Sequence, residues 1–280
     1  PVLHRYVALR KKILGLEKMH MYDMYVPLTA DATEKYDFET AFTTVCDALS
    51  PLGSEYASLL ARAKSERWMD VYETENKRNG AYSWGCYGTH PFVLLNHEGT
   101  LHDVFTIAHE LGHAMHSHYS NSAQPHAKAG YAIFVAEVAS TVNEVLTLKH
   151  LLSKATDAET RKYLLGYYLD TFRTTLFRQT MFAQFELIAH ERAQDGKALT
   201  PKSLSDEYYK LNKKYYGAAV THDKAIRLEW ARIPHFYTAF YVYKYATGIT
   251  AAVNIARDIL SGGDDALARY KRFLSAGGSD

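Results

Sequence analysis

The sequence predicts a mainly α fold with a small β-sheet, and three features carry that expectation. Long stretches, above all residues 158–194 and 234–260, read as helices. One short apolar run, residues 91–95, has the length and bounding residues of a strand. No internal repeat or low-complexity linker divides the 280 residues, so nothing forces a split into independently folding parts.

In chain order, residues 2–16 read as a basic amphipathic helix with Arg10, Lys11 and Lys12 on a solvated face. Residues 22–28, YDMYVPL, alternate and end near proline, which is the pattern of a short strand. Residues 38–49 and 55–72 are expected as helices, separated by the turn signal Pro51-Leu52-Gly53. Residues 79–89 carry Gly80, Gly85 and Gly88 among aromatics and read as irregular, and the strand at 91–95 follows. Residues 103–115 place Val104, Ile107, Ala108 and Leu111 on one helical side, and 120–129 read as a polar loop. Helices are expected over 134–152, 158–194, 204–216, 234–260 and 264–276.

Composition narrows the class of protein. A chain of this length can bury a substantial core, and its formal net charge of +1 gives no reason to propose nucleic acid or an anionic membrane as partner. Cys46 and Cys86 are too few for a disulfide framework and too isolated for a metal-binding pair, which fits a reduced, cytoplasmic setting. No signal peptide and no membrane-spanning apolar run is present. The chain opens at Pro1 within a helical pattern rather than at a methionine, and residues 1–280 are expected to be one domain of a longer protein, cut at both ends.

The most specific motif is His109-Glu110-Leu111-Gly112-His113, an HExxH pattern inside a predicted helix. Residues four apart on a helix lie one turn above each other, so two imidazoles can reach one Zn2+ while the glutamate between them faces the water that zinc activates. That is metallopeptidase chemistry. A catalytic zinc site takes a third protein ligand and leaves a position open. The extended pattern HExxHxxGxxH fails here, because position 116 is His and 119 is Tyr, and His116 and His118 read as a solvated helix end. The candidate third ligand is Glu137, at the start of the next helix among apolar and small residues, where a carboxylate needs a cation or donors. Glu144 lies seven residues on, on the same side but too far along the axis to share the metal, and is expected to orient a ligand histidine.

The segment HELGHAMHSHYS, followed after 24 residues (137−113) by Glu137 in AEVASTVNE, resembles the oligoendopeptidase F branch of the thimet-oligopeptidase family of zinc metallopeptidases. GAYSWGCYGTHPFVLLN at 80–96 and IPHFYTAFYVYKYATG at 233–248 resemble flanking blocks of that branch, in the family's order. The resemblance implies a zincin-like catalytic domain, a helical bundle around a deep substrate channel, with one Zn2+ per chain and endopeptidase action on short peptides. Carried over by motif, the metal ligands are His109, His113 and Glu137, and Glu110 is the general base.

Tyr237, Tyr241 and Tyr245 recur every four residues after His235, a stripe that a helix would line up either as core or as a catalytic face. Relatives bring a histidine and tyrosines from this region to the tetrahedral intermediate, which implies oxyanion donors here, with His235 first, Tyr245 next and Tyr241 last. In zincins the strand before the zinc helix forms a sheet edge that an extended peptide can join, which points to residues 91–96, although a plain buried strand fits them as well. Gly80, Gly85 and Gly88 would let a loop approach a substrate main chain or make turns.

Two rival readings remain. A metallocarboxypeptidase or dipeptidyl carboxypeptidase on the same scaffold would need a cation for the substrate's terminal carboxylate, from Arg173, Arg178 or Arg227. A zinc-holding peptide-binding fragment without turnover would keep the ligands and lack the channel walls.

Overall fold

A computed structural model of the chain describes residues 1–29, 35–262 and 264–278. Along the chain run α1 (Val2–Ile13), α2 (Phe38–Ala48), α3 (Ser54–Ser65), the strands β1 (Met69–Asp70), β2 (Tyr82–Trp84) and β3 (Phe92–Leu94), then α4 (Leu101–Ala123) and α5 (His126–Ala129). They are followed by α6 (Ala136–Lys154), α7 (Ala158–Thr171), α8 (Arg178–Gln194), α9 (Pro201–Tyr216), α10 (Tyr243–Leu260) and α11 (Asp264–Leu274). The fold is thus mainly α with one small sheet. No helix among the described residues is long and apolar enough to cross a membrane. The chain forms two compact units, one of Pro1–Asp31 with Leu165–Thr247 and one of Ala32–Leu164 with Gly248–Asp280.

The first unit closes around Leu3, Tyr6 and Val7 of α1, the methionines 19, 21 and 24, Met181, Phe182 and Phe185 of α8, and Tyr208 and Leu211 of α9. Residues 22–28 do not form the expected strand. Met21 and Met24 are both buried, and a spacing of three suits the 3-10 turn over Met21–Tyr25. Arg10 is also not on a solvated face: it is fully buried and donates to the Tyr6 hydroxyl, the Asp170 carboxylate and the Val26 carbonyl. The helical run predicted at 158–194 is continuous, with a π-helical stretch at Phe172–Phe177 between α7 and α8. The run predicted at 234–260 is broken. Pro234–Tyr237 is a 3-10 turn, Phe240 adopts a left-handed φ of 54°, and its N–H donates to the buried Glu186 carboxylate instead of a helix carbonyl, so α10 starts only at Tyr243.

In the second unit α4 is the central element, packed by α6, α2, α3 and α11 and by the sheet. Its start is fixed by a capping box, in which the Thr100 hydroxyl receives the Asp103 N–H and the Asp103 carboxylate receives the Thr100 N–H. It runs further than predicted, so residues 120–123 are helix rather than loop, and α5 occupies most of the remainder. The helix predicted at 55–72 ends at Ser65, because Arg67 turns the chain with a left-handed φ of 57° and Trp68 is then buried ahead of β1. The sheet order is β1-β3-β2, with β1 parallel and β2 antiparallel to β3.

Two side-chain details of α4 set its surroundings. At Gly112 the α6 backbone comes so close that a Cβ would lie 2.5 Å from the Ser140 Cα and 2.8 Å from the Ala139 carbonyl oxygen. His116 is not solvated: it is 1% exposed and stacks on Tyr131, 3.7 Å between ring centres, with Phe273 at 5.2 Å. Burial, with a smaller push from His113, brings its pKa down to about 3.

Two outcomes follow from this packing. Gly112→Ala forces backbone against backbone with no flexible side chain to yield, and is expected to lower unfolding stability by about 1–3 kcal/mol in urea titrations. The folded pKa of His116 lies below the ordinary 6.5, so as pH falls from 6.5 towards 3 the unfolded chain takes up a proton that the folded chain refuses, and stability is lost. His116→Phe keeps the stacking and removes this contribution. Its stability relative to the parent, from urea midpoints, is expected to rise by up to about 1.4 kcal/mol per pH unit across that window.

Candidate metal centre

Helix α4 carries His109 and His113 one turn apart, and the first turn of α6 carries Glu137. The two imidazole Nε2 atoms are 3.1 Å apart, and the Glu137 Oε2 lies 3.5 Å from each. These three side chains offer ligand atoms that all lie within 4.8 Å of one another. Zinc bonds of 2.0–2.1 Å in a tetrahedron put neighbouring ligand atoms roughly 3.3 Å apart, so the donor triangle already has the size that the ion requires. The donor set, two imidazoles and one carboxylate, also suits zinc.

The surroundings prepare these groups. The His109 Nδ1 donates to the Glu144 carboxylate at 2.5 Å, which turns Nε2 towards the His113 ring and the Glu137 carboxylate. Ser140 donates to the Glu137 carbonyl at 3.1 Å and to its Oε2 at 3.2 Å. Gly248, on α10, packs against Glu137, where an added Cβ would meet the Glu137 Cβ at 3.4 Å. Burial opposes a charge on His109, but the bond to Glu144 and the carboxylates of Glu144, Glu137 and Glu110 outweigh it and raise its pKa to about 9. Burial also pushes Glu137 up, while the His113 bond, the two histidine charges and Ser140 bring it below the ordinary carboxylate value. The pair therefore favours a proton on His109 and charge on Glu137, an arrangement that a divalent cation would replace by releasing the proton.

Glu110 lies between the two histidines in sequence and does not join the donor triangle. It is 6% exposed, its Oε2 has no hydrogen-bond partner, and burial above all raises its pKa. A buried carboxyl of raised pKa with a free oxygen is equipped to take and return a proton.

The sheet corrects one expectation. The strand before α4 is β3, and it is the central strand, so residues 91–96 offer no free edge. The Val93 and Leu95 amides donate to Trp68 and Asp70 on the β1 side, so Phe92 and Leu94 bond towards β2 and pair with Trp84 and Tyr82. Among the described residues, the outer edge of β2 is left to the main chain of Ser83. β2 packs on α4, and at Gly85 a side chain would collide with Ser117, one turn beyond His113, so that glycine serves contact with α4. Gly80 and Gly88, at φ 89° and 85° in open space, make turns.

In the other unit, the break before α10 gathers part of the predicted tyrosine stripe. His235 lies 5.7 Å from the ring of Tyr241 and 6.1 Å from that of Tyr245, and the Tyr245 hydroxyl donates to that of Tyr241 at 3.3 Å. Tyr237 is separate and 88% exposed, since the stripe is not one helix. Phe236 anchors the segment on Phe182 and Phe185. Arg173, Arg178 and Arg227 are each engaged by a carboxylate, from Asp170, Glu229 and Asp206 respectively. Sequence reasoning missed Ser140 and Asn143, whose only signal is that small or polar residues interrupt an apolar helix face at that point.

The whole chain, residues 1–280, matches the model of Peptidase family M3. It is 51% identical over 279 residues to oligopeptidase PepF of Bacillus subtilis and 44% identical over 279 residues to the chromosomal oligoendopeptidase F of Lactococcus lactis subsp. cremoris. These matches cover all of this chain but 42% and 46% of the relatives, so the chain spans less than half their length. Among solved structures it is similar to oligoendopeptidase F from Enterococcus faecium, with 38% identity and a TM-score of 0.74 over all of this chain and 43% of that one. It is also similar to a Chlamydophila abortus protein, with 46% identity and a TM-score of 0.88 over all of this chain and 46% of that one. A histidine pair and a glutamate of metal-binding geometry therefore stand in a chain whose entire length carries one family's pattern, and the chain belongs to Peptidase family M3.

Proposed function

We propose that residues 1–280 form the catalytic domain of a zinc-dependent endopeptidase that hydrolyses short oligopeptides. The observation that carries this reading is the donor triangle of His109, His113 and Glu137, of zinc-site dimensions, beside a buried Glu110 with a free oxygen. A zinc ion held there supplies Lewis acidity to the scissile carbonyl and lowers the pKa of water. Glu110 takes the proton of the attacking water and returns it to the leaving amine, which needs no covalent acyl-enzyme. Glu144 keeps the His109 ring in the tautomer and orientation of a ligand. Main-chain groups of Ser83, on the open edge of β2, would pair with an extended peptide and hold it without reading its side chains, which suits broad specificity. His235, Tyr245 and Tyr241 are assigned as oxyanion donors; their gathering into one cluster supports a shared role.

The relatives' names, oligopeptidase and oligoendopeptidase, support short peptides as substrates. The unpaired thiols of Cys46 and Cys86 support a cytoplasmic setting. The carboxypeptidase reading gains nothing from the structure, because each of its three candidate arginines already faces a carboxylate.

One paired experiment tests the centre. His113→Ala is expected to lose stoichiometric zinc, and Glu110→Gln to keep zinc while turnover of a quenched fluorescent peptide falls roughly a hundredfold or more. Zinc retained by the first variant rejects the ligand set, and zinc lost from the second makes Glu110 a ligand instead of a base. A chain that binds zinc but never cleaves is the binding fragment of the rival reading. For the tyrosine cluster, Tyr245→Phe in the intact protein is expected to lower kcat by about a hundredfold with little change in KM. An unchanged kcat returns Tyr245 to a packing role.

A further inference from the structure

We propose that Asn143, braced by Tyr56, is a positioning residue of the metal centre: it locks the axial register of α4 against α6, and so fixes where the His109 and His113 imidazoles meet Glu137. The inference rests on the metal reading above and deepens it.

The observations are a buried relay across three helices. Asn143 is fully buried on α6, next to Glu144, and its Nδ2 donates at 3.0 Å to the carbonyl of Ala108, the residue before His109 on α4. Its Oδ1 accepts from the Tyr56 hydroxyl of α3 at 3.1 Å, and Tyr56 is 1% exposed. The amide can point only one way. If it were flipped, its oxygen would face the Ala108 carbonyl oxygen with no proton between them, whereas the present orientation satisfies both neighbours. Consecutive residues of α6 therefore hold consecutive residues of α4, Asn143 by the main chain of Ala108 and Glu144 by the ring of His109.

The other contacts between these helices cannot fix the register alone. The close approach of Gly112 to Ser140 sets how near the axes come, but a contact between small residues lets one helix slide along the other. The Glu144 carboxylate sits on a side chain with three rotatable bonds and can follow a moving imidazole. Asn143 is shorter, has two side-chain torsions, is buried, and bonds to a main-chain atom that cannot rotate away. A slide of a single residue is about 1.5 Å, enough to carry the Glu137 oxygen out of reach of one imidazole, since a zinc bond is only 2.0–2.1 Å long. A single buried polar residue that selects one register among several is a known use of such groups in paired helices.

The test measures zinc affinity by competition with a chromophoric chelator, and the visible spectrum of the Co2+-substituted chain, which reports ligand geometry. Asn143→Leu keeps the volume and removes both hydrogen bonds, and is expected to weaken zinc binding about 10–100-fold and to alter the cobalt spectrum. Tyr56→Phe, the gentler variant should Asn143→Leu fold poorly, leaves the buried amide oxygen without its donor and is expected to weaken zinc in the same direction but less. In the Tyr56→Phe, Asn143→Leu double variant the loss is expected to equal that of Asn143→Leu alone, because both act through one bond. Leu60→Ala, a core truncation on α3, serves as the control: it lowers stability and is expected to leave zinc affinity and the cobalt spectrum unchanged. Wild-type affinity in both Asn143→Leu and Tyr56→Phe, or an equal loss in Leu60→Ala, overturns the inference while leaving the metal centre intact. Failure of the unaltered chain to bind zinc at all overturns the metal reading, and this inference with it.

Discussion

The approach of α4 to α6 at Gly112 and Ser140 is the contact on which the centre depends. Two helices whose main chains come this near leave no room for a side chain at the crossing, and that proximity brings the Glu137 carboxylate within 3.5 Å of two imidazoles on the other helix. A bulkier pair at the crossing would move the axes apart towards ordinary helix spacing, and the donor triangle would open by a comparable amount. From that one point, α6 reaches α4 repeatedly along its length, by Glu137, Ser140, Asn143 and Glu144.

Bringing these groups together carries an electrostatic cost that the second unit offsets locally. Glu110, Glu137 and Glu144 surround His109, and burial disfavours charge on His109, Glu110 and Glu137. The cluster resolves this without a cation by protonating His109 and by hydrogen bonds from Ser140, and with one by exchanging the proton for metal. Glu110 keeps a buried oxygen with no hydrogen-bond partner, as the proposed general base requires. His116, about two turns beyond His109 on the same helix, meets the opposite fate: buried against aromatic rings, it stays neutral. Position relative to the carboxylates, rather than residue type, separates the histidines of the donor triangle from the packing one.

In the first unit a strained turn does comparable organising work. Phe240 in a left-handed conformation is held by its N–H on the buried Glu186 carboxylate and by its ring against His190 at 4.5 Å. That break turns what would have been a regular tyrosine stripe into a compact group of His235, Tyr241 and Tyr245, with Tyr237 left outside.

How much of this could be read from the residues follows from which interactions are local. The helical character, the HExxH spacing that stacks His109 on His113, and the seven-residue spacing of Glu137 and Glu144 are properties of 3.6-residue periodicity, and they needed nothing beyond the chain's order. The strand at 92–94 was equally legible, but its place in the middle of the sheet was not, because strand order depends on partners distant in sequence. The same holds for Arg10 and His116, polar residues whose patterns suggest solvent and whose burial is decided by Asp170, Val26, Tyr131 and Phe273 arriving from elsewhere. The break at Phe240 and the role of Asn143 belong to this second class, since a carboxylate on α8 and a hydroxyl on α3 determine them. Sequence alone determined which side chains are the candidates for the chemistry and on which helices they lie; only the tertiary structure decided how they meet, because that rests on a glycine-sized helix crossing and on hydrogen bonds between segments that periodicity cannot relate.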